Sequence, residues 1–381
     1  MTSTRRSDVL VIGAGVAGAS VAAELAPRRR VVVIEMEDQP GYHTTGRSAA
    51  VFAECYGNRL VRALTRASRP FLERPPSGVE APLLAPRGWL SIARRDQLEQ
   101  LGGLERELLA SGGTVQPVSE AEARSLVPIL RRGHVAAALL DRSAMDIDVH
   151  ALHHFYLRRL RAAGGETVTG ARAVAFDRAG GDWCVHTTQG DFAAPLVVDA
   201  AGAWADEVGR LAGATPIGLV PMRRTALILD PPRETPVSGW PMVVDAEESF
   251  YFKPEGGRLL ASPADETPSP PCDARPEDLD VAVAIDRITA ACELEVSHVR
   301  RKWAGLRSFV ADRSPVAGFD PRAPGFFWLA GQGGYGIQTA PALSRLAAAL
   351  ALGEPIPDDI AAQGVTAAQV APDRLAESAP D

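Results

Sequence analysis

The chain contains little cysteine and lysine, and it contains no long apolar run. Its four cysteines lie far apart and form no CxxC pair: Cys55, Cys184, Cys272 and Cys292. This spacing favours neither a disulfide framework nor a zinc site. Only two lysines occur, Lys253 and Lys302, which leaves few candidates for a Schiff-base lysine. No apolar run reaches membrane-spanning length, so we expect no transmembrane segment.

Positive charge is also in deficit. The formal net charge is -7 and the basic runs are short, which argues against a nucleic-acid partner. The first residues, MTSTRRSDVLVIGAG, lack the apolar region and cleavage site of a signal peptide. We therefore expect a soluble, cytoplasmic protein, with peripheral membrane contact left open. The histidines at 150, 153 and 154 have no acid or cysteine at ligand spacing, so we expect solvated or helix-end histidines and no metal site.

A glycine turn near the start of the chain predicts a bound dinucleotide. Residues 9–26, VLVIGAGVAGASVAAELA, have the pattern of a strand, a turn and a helix, and VVVIE follows as the next strand. Gly13 permits the tight turn, Gly15 lets the backbone approach a pyrophosphate, and Gly18 lets the helix pack close to the strand. Glu35 can accept hydrogen bonds from a ribose and would repel a 2′-phosphate. The alternative is a glycine-rich helix start without a ligand.

The long loop after Glu35, MEDQPGYHTTGRSAAVFAECYG, favours FAD over NAD, because it can follow a ribityl chain under an isoalloxazine ring. Nucleotide-binding patterns occur at residues 1–50, 196–212 and 326–352, with strand-rich segments between them. This order predicts an α/β (α+β composite) fold with a discontinuous Rossmann-like FAD-binding domain and an inserted, mostly antiparallel substrate domain. The expected FAD-binding domain comprises residues 1–80, 145–213 and 310–365. The substrate domain comprises 81–144 and 214–309, and 366–381 form a flexible tail.

Eight stretches of the chain, spread between residues 8 and 352, resemble the D-amino-acid oxidase superfamily of FAD enzymes, most closely the bacterial D-arginine dehydrogenases. They are VIGAGVAGAS, QPGYHTTGRSAA, VRALTRAS, DIDVHALH, AAGAW, ESFYFKP, WAGLRSFVAD and GFFWLAGQGGYGIQT. The resemblance implies non-covalent FAD and oxidation of a D-amino acid to an imino acid, by hydride transfer to flavin N5. Water then releases a 2-oxo acid and ammonia. The electron acceptor, O2 or a quinone, stays undetermined.

The resemblance also implies which residues contact FAD. They are Gly13, Gly15, Val16, Ala17, Gly18, Glu35, Met36, Thr44, Thr45, Gly46, Arg47, Ser48, Ala49, Val174, Ala201, Gly202, Trp204, Gly333, Gly334, Tyr335, Gly336, Ile337 and Gln338. The second glycine turn, GQGGYGIQTAP, would place the positive end of a helix at the flavin, where it stabilises the negative charge of the reduced ring. The alternative is a plain helix N-cap.

For the substrate, Arg307 matches the arginine that binds the carboxylate. Arg307 lies in WAGLRSFV, a mostly apolar predicted strand. An arginine there is either paired to an acid or free for a ligand, and its planar fork suits a carboxylate. The other expected substrate contacts are the Tyr251 hydroxyl, Arg224, the Gly305 and Gly334 carbonyls, Gln338 and the loop residue Tyr56. Two of these have open alternatives, an exposed strand arginine for Arg224 and a packing residue for Tyr56. No general base is expected, because a neutral amine suffices.

Three positions depart from the D-arginine enzymes: Trp89 replaces a glutamate, and Val51 and Ala53 replace a histidine and a threonine. A guanidinium would be left unpaired in such a pocket. The sequence therefore predicts a preference for apolar or aromatic D-amino acids, unless Glu54 restores the negative charge. One alternative is an oxidase or dehydrogenase of glycine, sarcosine, an imino acid or another secondary amine. The other is a flavin-binding protein without enzymatic activity.

Overall fold

The computed structural model describes residues 4–79, 81–110, 112–233 and 235–378. Its α-helices are α1 (Val16–Leu25), α2 (Arg59–Glu73), α3 (Leu98–Ala110), α4 (Glu120–Leu126), α5 (Val149–Ala162), α6 (Ala205–Leu211), α7 (Asp278–Ala291), α8 (Gly336–Ala351) and α9 (Asp358–Ala361). Short 3-10 helices cover Thr45–Arg47, Arg95–Gln97, Gly202–Trp204, Ala367–Gln369 and Pro372–Ser378.

The strands, in chain order, are β1 (Arg5–Arg6), β2 (Val9–Ile12), β3 (Val31–Ile34), β4 (Val51–Phe52), β5 (Leu84–Pro86), β6 (Trp89–Ala93), β7 (Gln116–Val118), β8 (Ala137–Asp141), β9 (Met145–Ile147), β10 (Glu166–Val168), β11 (Ala173–Ala179), β12 (Asp182–Thr187), β13 (Gly190–Ala194), β14 (Leu196–Asp199), β15 (Val220–Leu229), β16 (Met242–Asp245), β17 (Tyr251–Glu255), β18 (Arg258–Ser262), β19 (Thr267–Pro268), β20 (Arg301–Phe309), β21 (Val316–Phe319) and β22 (Phe326–Ala330).

A six-stranded sheet carries the first glycine turn. Its order is β10-β3-β2-β14-β22-β21, and every neighbouring pair is parallel except β21 with β22. Strands β2 and β3 are continuous apolar runs that are buried throughout, as expected for parallel strands covered on both faces. Helices α1, α5 and α8 pack together over this sheet and supply much of its core.

A nine-stranded sheet forms the other large layer, in the order β19-β15-β18-β17-β16-β6-β8-β7, with β20 pairing with β15. Its pairs are antiparallel, apart from β16 with β6. The fold is therefore the predicted composite of a Rossmann-like part and a mostly antiparallel sheet. A three-stranded sheet (β4-β9-β5) and a four-stranded sheet (β1-β13-β12-β11) complete it. No helix within the described residues is long and apolar enough to cross a membrane.

The two large sheets alternate along the chain. The six-stranded sheet takes its strands from residues 9–34, 166–199 and 316–330, and the nine-stranded sheet takes its strands from 89–141 and 220–309. This interleaving matches the predicted order, while the domain bounds themselves stay a prediction. Residues 1–3, 80, 111, 234 and 379–381 belong to predicted domains or to the predicted tail and lie outside the described residues.

The C-terminal segment differs from the flexible tail that the sequence predicts. Val370 is fully buried, and its carbonyl accepts a hydrogen bond from Ala317 N at 2.8 Å. Arg374 donates to the Asp312 carboxylate at 2.8 Å and to the Ser314 carbonyl at 3.0 Å. These long-range contacts hold the segment against β21, and they leave no trace in local composition.

Candidate active site

A cavity lies at the carboxyl ends of the parallel strands, the usual ligand position in an open α/β sheet. Its walls include Ile12, Ile34, Ala200 and Gln332, which end or follow β2, β3, β14 and β22. The cavity encloses about 1690 Å³ of space free of atoms, part of it open to solvent.

The first glycine turn has the geometry that its motif predicts. Gly13 has a φ of +96°, and a β-carbon there would lie 2.5 Å from the carbonyl oxygen of Ala200. At Gly18 a β-carbon would lie 1.8 Å from the Gly13 oxygen, so only glycine lets α1 pack this closely. The N-terminus of α1 consequently opens into the cavity, where its free N–H groups suit a phosphate.

Glu35 lies in the cavity wall at the end of β3. Its carboxylate accepts hydrogen bonds from Ala14 N at 2.7 Å and from Glu37 N at 3.0 Å. These bonds fix the carboxylate beside the glycine turn. Each oxygen keeps a free lone pair that can accept a ribose hydroxyl.

The loop after β3 connects the two large sheets. Thr45 Oγ1 accepts from Val16 N at 3.0 Å, and Thr44 Oγ1 donates to the Leu306 carbonyl at 2.7 Å. Arg47 donates to the carbonyls of Ala274 and Ala304, each at 3.0 Å, and pairs with Asp273. The loop is thereby held along the cavity wall between the nucleotide-binding turn and β20.

The second glycine turn faces the same cavity. Gly333 has a φ of +54°, and a β-carbon there would lie 2.0 Å from the Phe309 ring. Helix α8 begins at Gly336, where the glycine pattern predicts it. Because Gln332, Gly333 and Gly336 line the cavity, the positive end of this 16-residue helix points into it.

Most of the predicted FAD contacts lie on this cavity. Those that line it are Gly13, Gly15, Val16, Ala17, Glu35, Met36, Thr44, Thr45, Arg47, Ser48, Ala49, Ala201, Gly202, Trp204, Gly333, Gly334, Gly336 and Ile337. The predicted FAD contact of Val174 is corrected by the structure. Its side chain is exposed and does not line the cavity, and Ala171, Arg172 and Ala173 lie in the wall instead. Gly18 and Gly46 act through backbone packing. Gln338 lines a second cavity, whereas Tyr335 lines neither cavity and packs its ring against Tyr56.

Sequence reasoning missed several residues of the wall: Tyr42, His43, Ala171, Arg172, Ala173, Glu207, Val208, Leu211 and Gln332. Tyr42 and His43 lie in the stretch QPGYHTTGRSAA, and Gln332 lies in the second glycine turn. Glu207, Val208 and Leu211 follow Trp204 at helical spacing, and that spacing could have placed them on the same face.

Arg307 lies where the larger cavity meets a second, smaller one, and it lines both. Its Nη1 donates to the Tyr56 hydroxyl at 3.1 Å. Among the described residues no carboxylate lies within ion-pair distance of this guanidinium. Of the two alternatives that the sequence leaves open for Arg307, an acid partner or a ligand, the described part of the chain therefore offers no acid partner.

Arg224 is held in a different way, although it also lines both cavities. It is 8% exposed, and its Nη2 lies 3.1 Å from the Glu266 carboxylate. The neighbouring Arg223 pairs with Glu277 and Asp280. The exposed strand arginine considered for Arg224 is therefore wrong.

The two tyrosines beside Arg307 have different acidities. Burial raises the pKa of the Tyr56 hydroxyl above its ordinary value of 10.0, although Arg307 opposes this. Burial also raises the pKa of Tyr251, but Arg307 and then Arg224 outweigh it and bring the pKa below 10.0. Tyr251 is thus the more acidic hydroxyl in contact with the cationic end of the site.

The second cavity has both polar and apolar walls and encloses about 610 Å³ of space free of atoms, part of it open to solvent. Among its lining residues are Val51, Tyr56, Trp89, Met242, Val244, Ala264 and Gln338. Trp89 therefore lies in the predicted pocket, with its Nε1 donating to Ser91 Oγ at 3.0 Å.

Ala53 is fully buried and does not line the cavity. Its N–H donates instead to Gln338 Oε1 at 3.1 Å. The Nε2 of Gln338 is a buried donor without a partner in the described structure.

The acidic residue that lines the second cavity is not Glu54, the acid that the sequence suggested. Glu54 pairs with Arg69 at 2.7 Å and lies outside both cavities. Glu248, in the turn between β16 and β17, is the one acidic residue among the described residues that line the second cavity. It is exposed and has a φ of 53°, a conformation that usually favours glycine. It is the first residue of the stretch ESFYFKP, but that stretch does not mark it as a cavity residue, because its position depends on a hairpin turn.

One predicted histidine environment also differs. His153 is 4% exposed and lies beneath the first glycine turn, with Nε2 2.8 Å from the Ala14 carbonyl oxygen. Burial lowers the pKa of this imidazole, so it stays neutral near pH 7 and donates to that carbonyl. Within the described ranges, no three histidine, cysteine or acidic side chains are grouped as for a metal ion.

Taken together, the cavity fits FAD. Two helix N-termini open into one space, Glu35 lies beside the first, and Arg307 lines the same space next to the second glycine turn. A dinucleotide needs the first helix and the acid. A flavin ring needs the second helix terminus near its reactive edge.

Comparisons with known proteins agree with this fit. The pattern of the DAO family, described as FAD dependent oxidoreductase, matches residues 8–350. The chain is 26% identical to glycine oxidase of Geobacillus kaustophilus over 362 residues, which cover 91% of this chain and 93% of that protein. It is also 26% identical over 345 residues to human mitochondrial sarcosine dehydrogenase, covering 84% of this chain and 37% of that protein.

Solved structures show the same fold. The crystal structure of the Geobacillus kaustophilus glycine oxidase aligns with a TM-score of 0.80 at 24% identity, over 92% of this chain and 96% of that one. L-α-glycerophosphate oxidase from Mycoplasma pneumoniae, solved with FAD bound, aligns with a TM-score of 0.82 at 19% identity over 92% and 95% of the two chains. The protein therefore belongs to the DAO family of FAD dependent oxidoreductases, and its cofactor is FAD.

Proposed function

We propose that this protein oxidises the carbon–nitrogen bond of a small amino carboxylate. FAD, when bound, accepts the hydride that leaves the substrate carbon. The observation that supports this most is Arg307, a cation without an acid partner among the described residues, at the junction of the two cavities. Such a guanidinium needs an anion, and its fork matches a carboxylate in a bidentate arrangement.

The residues around Arg307 can orient the rest of the substrate. The Tyr56 hydroxyl accepts from the guanidinium and Tyr251 lines the same two cavities, so both hydroxyls can donate to the same carboxylate. Gln338 Nε2 is a further donor, and its orientation is fixed because Oε1 accepts from Ala53 N. A carboxylate bound here keeps its α-carbon at the boundary between the cavities, with the amine close to backbone carbonyls of the second glycine turn.

The relatives favour a substrate with little or no side chain. Two of them are named glycine oxidase and sarcosine dehydrogenase, and the solved structures that align include an L-proline dehydrogenase and an iminodiacetate oxidase. All these names denote amines that carry a carboxylate. Glycine, sarcosine or an imino acid is therefore the first substrate class to propose, ahead of D-amino acids.

A D-amino acid with an apolar side chain is the second candidate. The observation that favours it is the apolar part of the second cavity, which includes Val51, Trp89, Met242 and Val244. Glycine would leave this space to water. A Leu- or Met-sized side chain would fill it and remove apolar surface from water.

Anaerobic reduction of the bound flavin tests both substrate classes. The holoenzyme is mixed with glycine, sarcosine, L-proline, D-leucine, D-methionine, D-phenylalanine and D-arginine, and bleaching of the flavin is followed by stopped flow. At least one amino carboxylate should bleach the flavin at a saturable rate. Admission of air afterwards separates oxidase from dehydrogenase behaviour.

Arg307→Ala is the decisive variant. It should raise the half-saturating substrate concentration at least about a hundredfold, because a buried charge-assisted pair is lost. Arg301→Ala, an exposed arginine on the same strand, is the matched control and should behave like the wild type. If dithionite bleaches the flavin but no amino carboxylate does, or if Arg307→Ala saturates like the wild type, the proposal is wrong.

A further inference from the structure

Two arginines stand side by side on one face of the nine-stranded sheet. In the antiparallel pair β15–β20, Arg224 lies opposite Gly305, and Met222 lies opposite Arg307. Arg224 and Arg307 are consequently diagonal neighbours, with α-carbons about 7–8 Å apart. Both line the two cavities. A ligand at this face therefore meets two guanidinium groups.

Only one of these guanidiniums has a carboxylate partner in the described structure. Glu266 Oε1 lies 3.1 Å from Arg224 Nη2, and the Asp265 carbonyl accepts from Arg224 Nε at 2.8 Å. Two of the donor groups of Arg224 are thereby occupied by its own chain. Arg307, in contrast, donates to a neutral tyrosine hydroxyl.

Glu266 is itself shared. The same Oε1 accepts from Arg313 Nη2 at 2.8 Å, and the Glu266 side chain is 33% exposed. Arg313 has a φ of 57° and places its guanidinium 3.8 Å from the centre of the Phe309 ring. One carboxylate is therefore shared by two arginines, whereas Arg307 has no carboxylate partner among the described residues and remains free for a ligand.

We propose that Glu266 is a specificity-determining residue, which neutralises Arg224 so that the site accepts one carboxylate and rejects a second. The inference rests on the proposed function, because it assumes that Arg307 binds the carboxylate of the substrate. A ligand with two carboxylates would have to displace Glu266 from Arg224 or leave its second charge beside that acid. Glu248 on the second cavity adds further negative charge. Discrimination by repulsion of this kind is a common source of specificity.

The test compares acetate with malonate, which differ by one carboxylate. Each is titrated into the FAD holoenzyme, and its Kd is read from the perturbation of the flavin absorption spectrum. In Glu266→Gln the ratio of the malonate Kd to the acetate Kd should fall about tenfold, since a like-charge contact disappears and Arg224 becomes free. Glu166→Gln, which removes the acid of the exposed Arg5–Glu166 pair, should leave the ratio unchanged.

A second variant predicts the opposite change and does not depend on how well Glu266→Gln folds. Arg313→Gly leaves Glu266 to Arg224 alone, and glycine adopts the left-handed conformation without strain. The ratio should then rise. An unchanged ratio in both variants overturns the role of Glu266, provided that Arg307→Ala still abolishes acetate binding. If Arg307→Ala binds acetate like the wild type, the proposed function fails, and this inference fails with it.

Discussion

A β-carbon on residue 334 would lie 2.9 Å from Nη1 of Arg307 and 3.0 Å from its Cζ. The guanidinium is therefore packed directly against the backbone of the second glycine turn, where α8 begins two residues later. This contact places the cationic end of the proposed substrate site beside the turn that faces the larger cavity. Glycine at this position is explained by the side chain it faces, since Gly334 has no left-handed backbone.

Gly334→Ala should displace Arg307 without removing it. We expect KM for the amino carboxylate to rise about tenfold to a hundredfold, since misplacement by about 1 Å can cost that much. FAD retention, followed by flavin fluorescence, should change far less. Gly103→Ala in α3, where no atom lies within 4 Å of the added carbon, is the control. A KM within about twofold of the wild type would show that the guanidinium is not held in place by this contact.

The alkaline side of the pH profile should depend on Tyr251. Its pKa lies below 10.0 in the folded site, because Arg307 and Arg224 outweigh the effect of burial. As the pH rises through this pKa, a phenolate forms beside Arg307 and competes with the substrate carboxylate, so KM should increase. Tyr251→Phe should remove this increase, as measured by steady-state KM between about pH 7 and pH 10.

Tyr56→Phe provides the comparison, because burial raises the pKa of Tyr56. This variant should retain the alkaline increase in KM, although its KM at neutral pH rises with the lost hydroxyl. The same increase in Tyr251→Phe as in the wild type would assign the titration to another group, such as the substrate amine.

Features of the site that depend on local sequence could be predicted. The conformation of Gly13 and the close packing at Gly18 follow from a short strand–turn–helix pattern. The presence of Arg307 in an apolar strand also indicates a charge that needs an anion, either an acid of the chain or a ligand. Each of these inferences needs only neighbouring residues and the physical limits on their backbone.

Features that depend on strand register and on distant loops could not be predicted. Whether Arg224 is free depends on Glu266, which is 42 residues away along the chain. Glu54 follows β4 and Glu248 precedes β17, yet Glu54 pairs with Arg69 and Glu248 lines the second cavity. The order of the C-terminal segment likewise depends on Asp312, 62 residues before Arg374. A local sequence pattern does not indicate contacts between residues that lie so far apart along the chain.

Asp199→Asn should stabilise the protein at neutral pH. Asp199 is fully buried at the end of β14, and its Oδ2 has no hydrogen-bond partner in the described structure. Burial raises the pKa of this carboxyl well above 3.8, although the Ala201 N–H opposes the shift. The folded state therefore binds the proton more tightly than the unfolded state, and stability falls as the pH rises from 3.8 towards the raised pKa.

An amide at position 199 does not titrate. The melting temperature of Asp199→Asn should therefore exceed that of the wild type by about 2 °C or more at pH 8. The gap should narrow as the pH falls towards about pH 5. Thermal melts of both proteins at matched FAD concentration measure this difference. A gap that does not change with pH would mean that the carboxyl does not titrate in this range.

Arg374→Ala should destabilise the turn that carries Arg313. Arg374 pairs with Asp312 and donates to the carbonyls of Ser314 and Ala371, so the variant leaves these acceptors without their partner. Such a loss costs about 1–3 kcal/mol, which for a chain of this length corresponds to a fall in melting temperature of about 1 °C per kcal/mol. Arg132→Ala, at an exposed position, should melt like the wild type.

Because Arg313 follows Asp312 directly, the malonate-to-acetate Kd ratio should also change in Arg374→Ala. A lower melting temperature with an unchanged ratio would restrict Arg374 to a stabilising role and leave the position of Arg313 independent of the C-terminal segment.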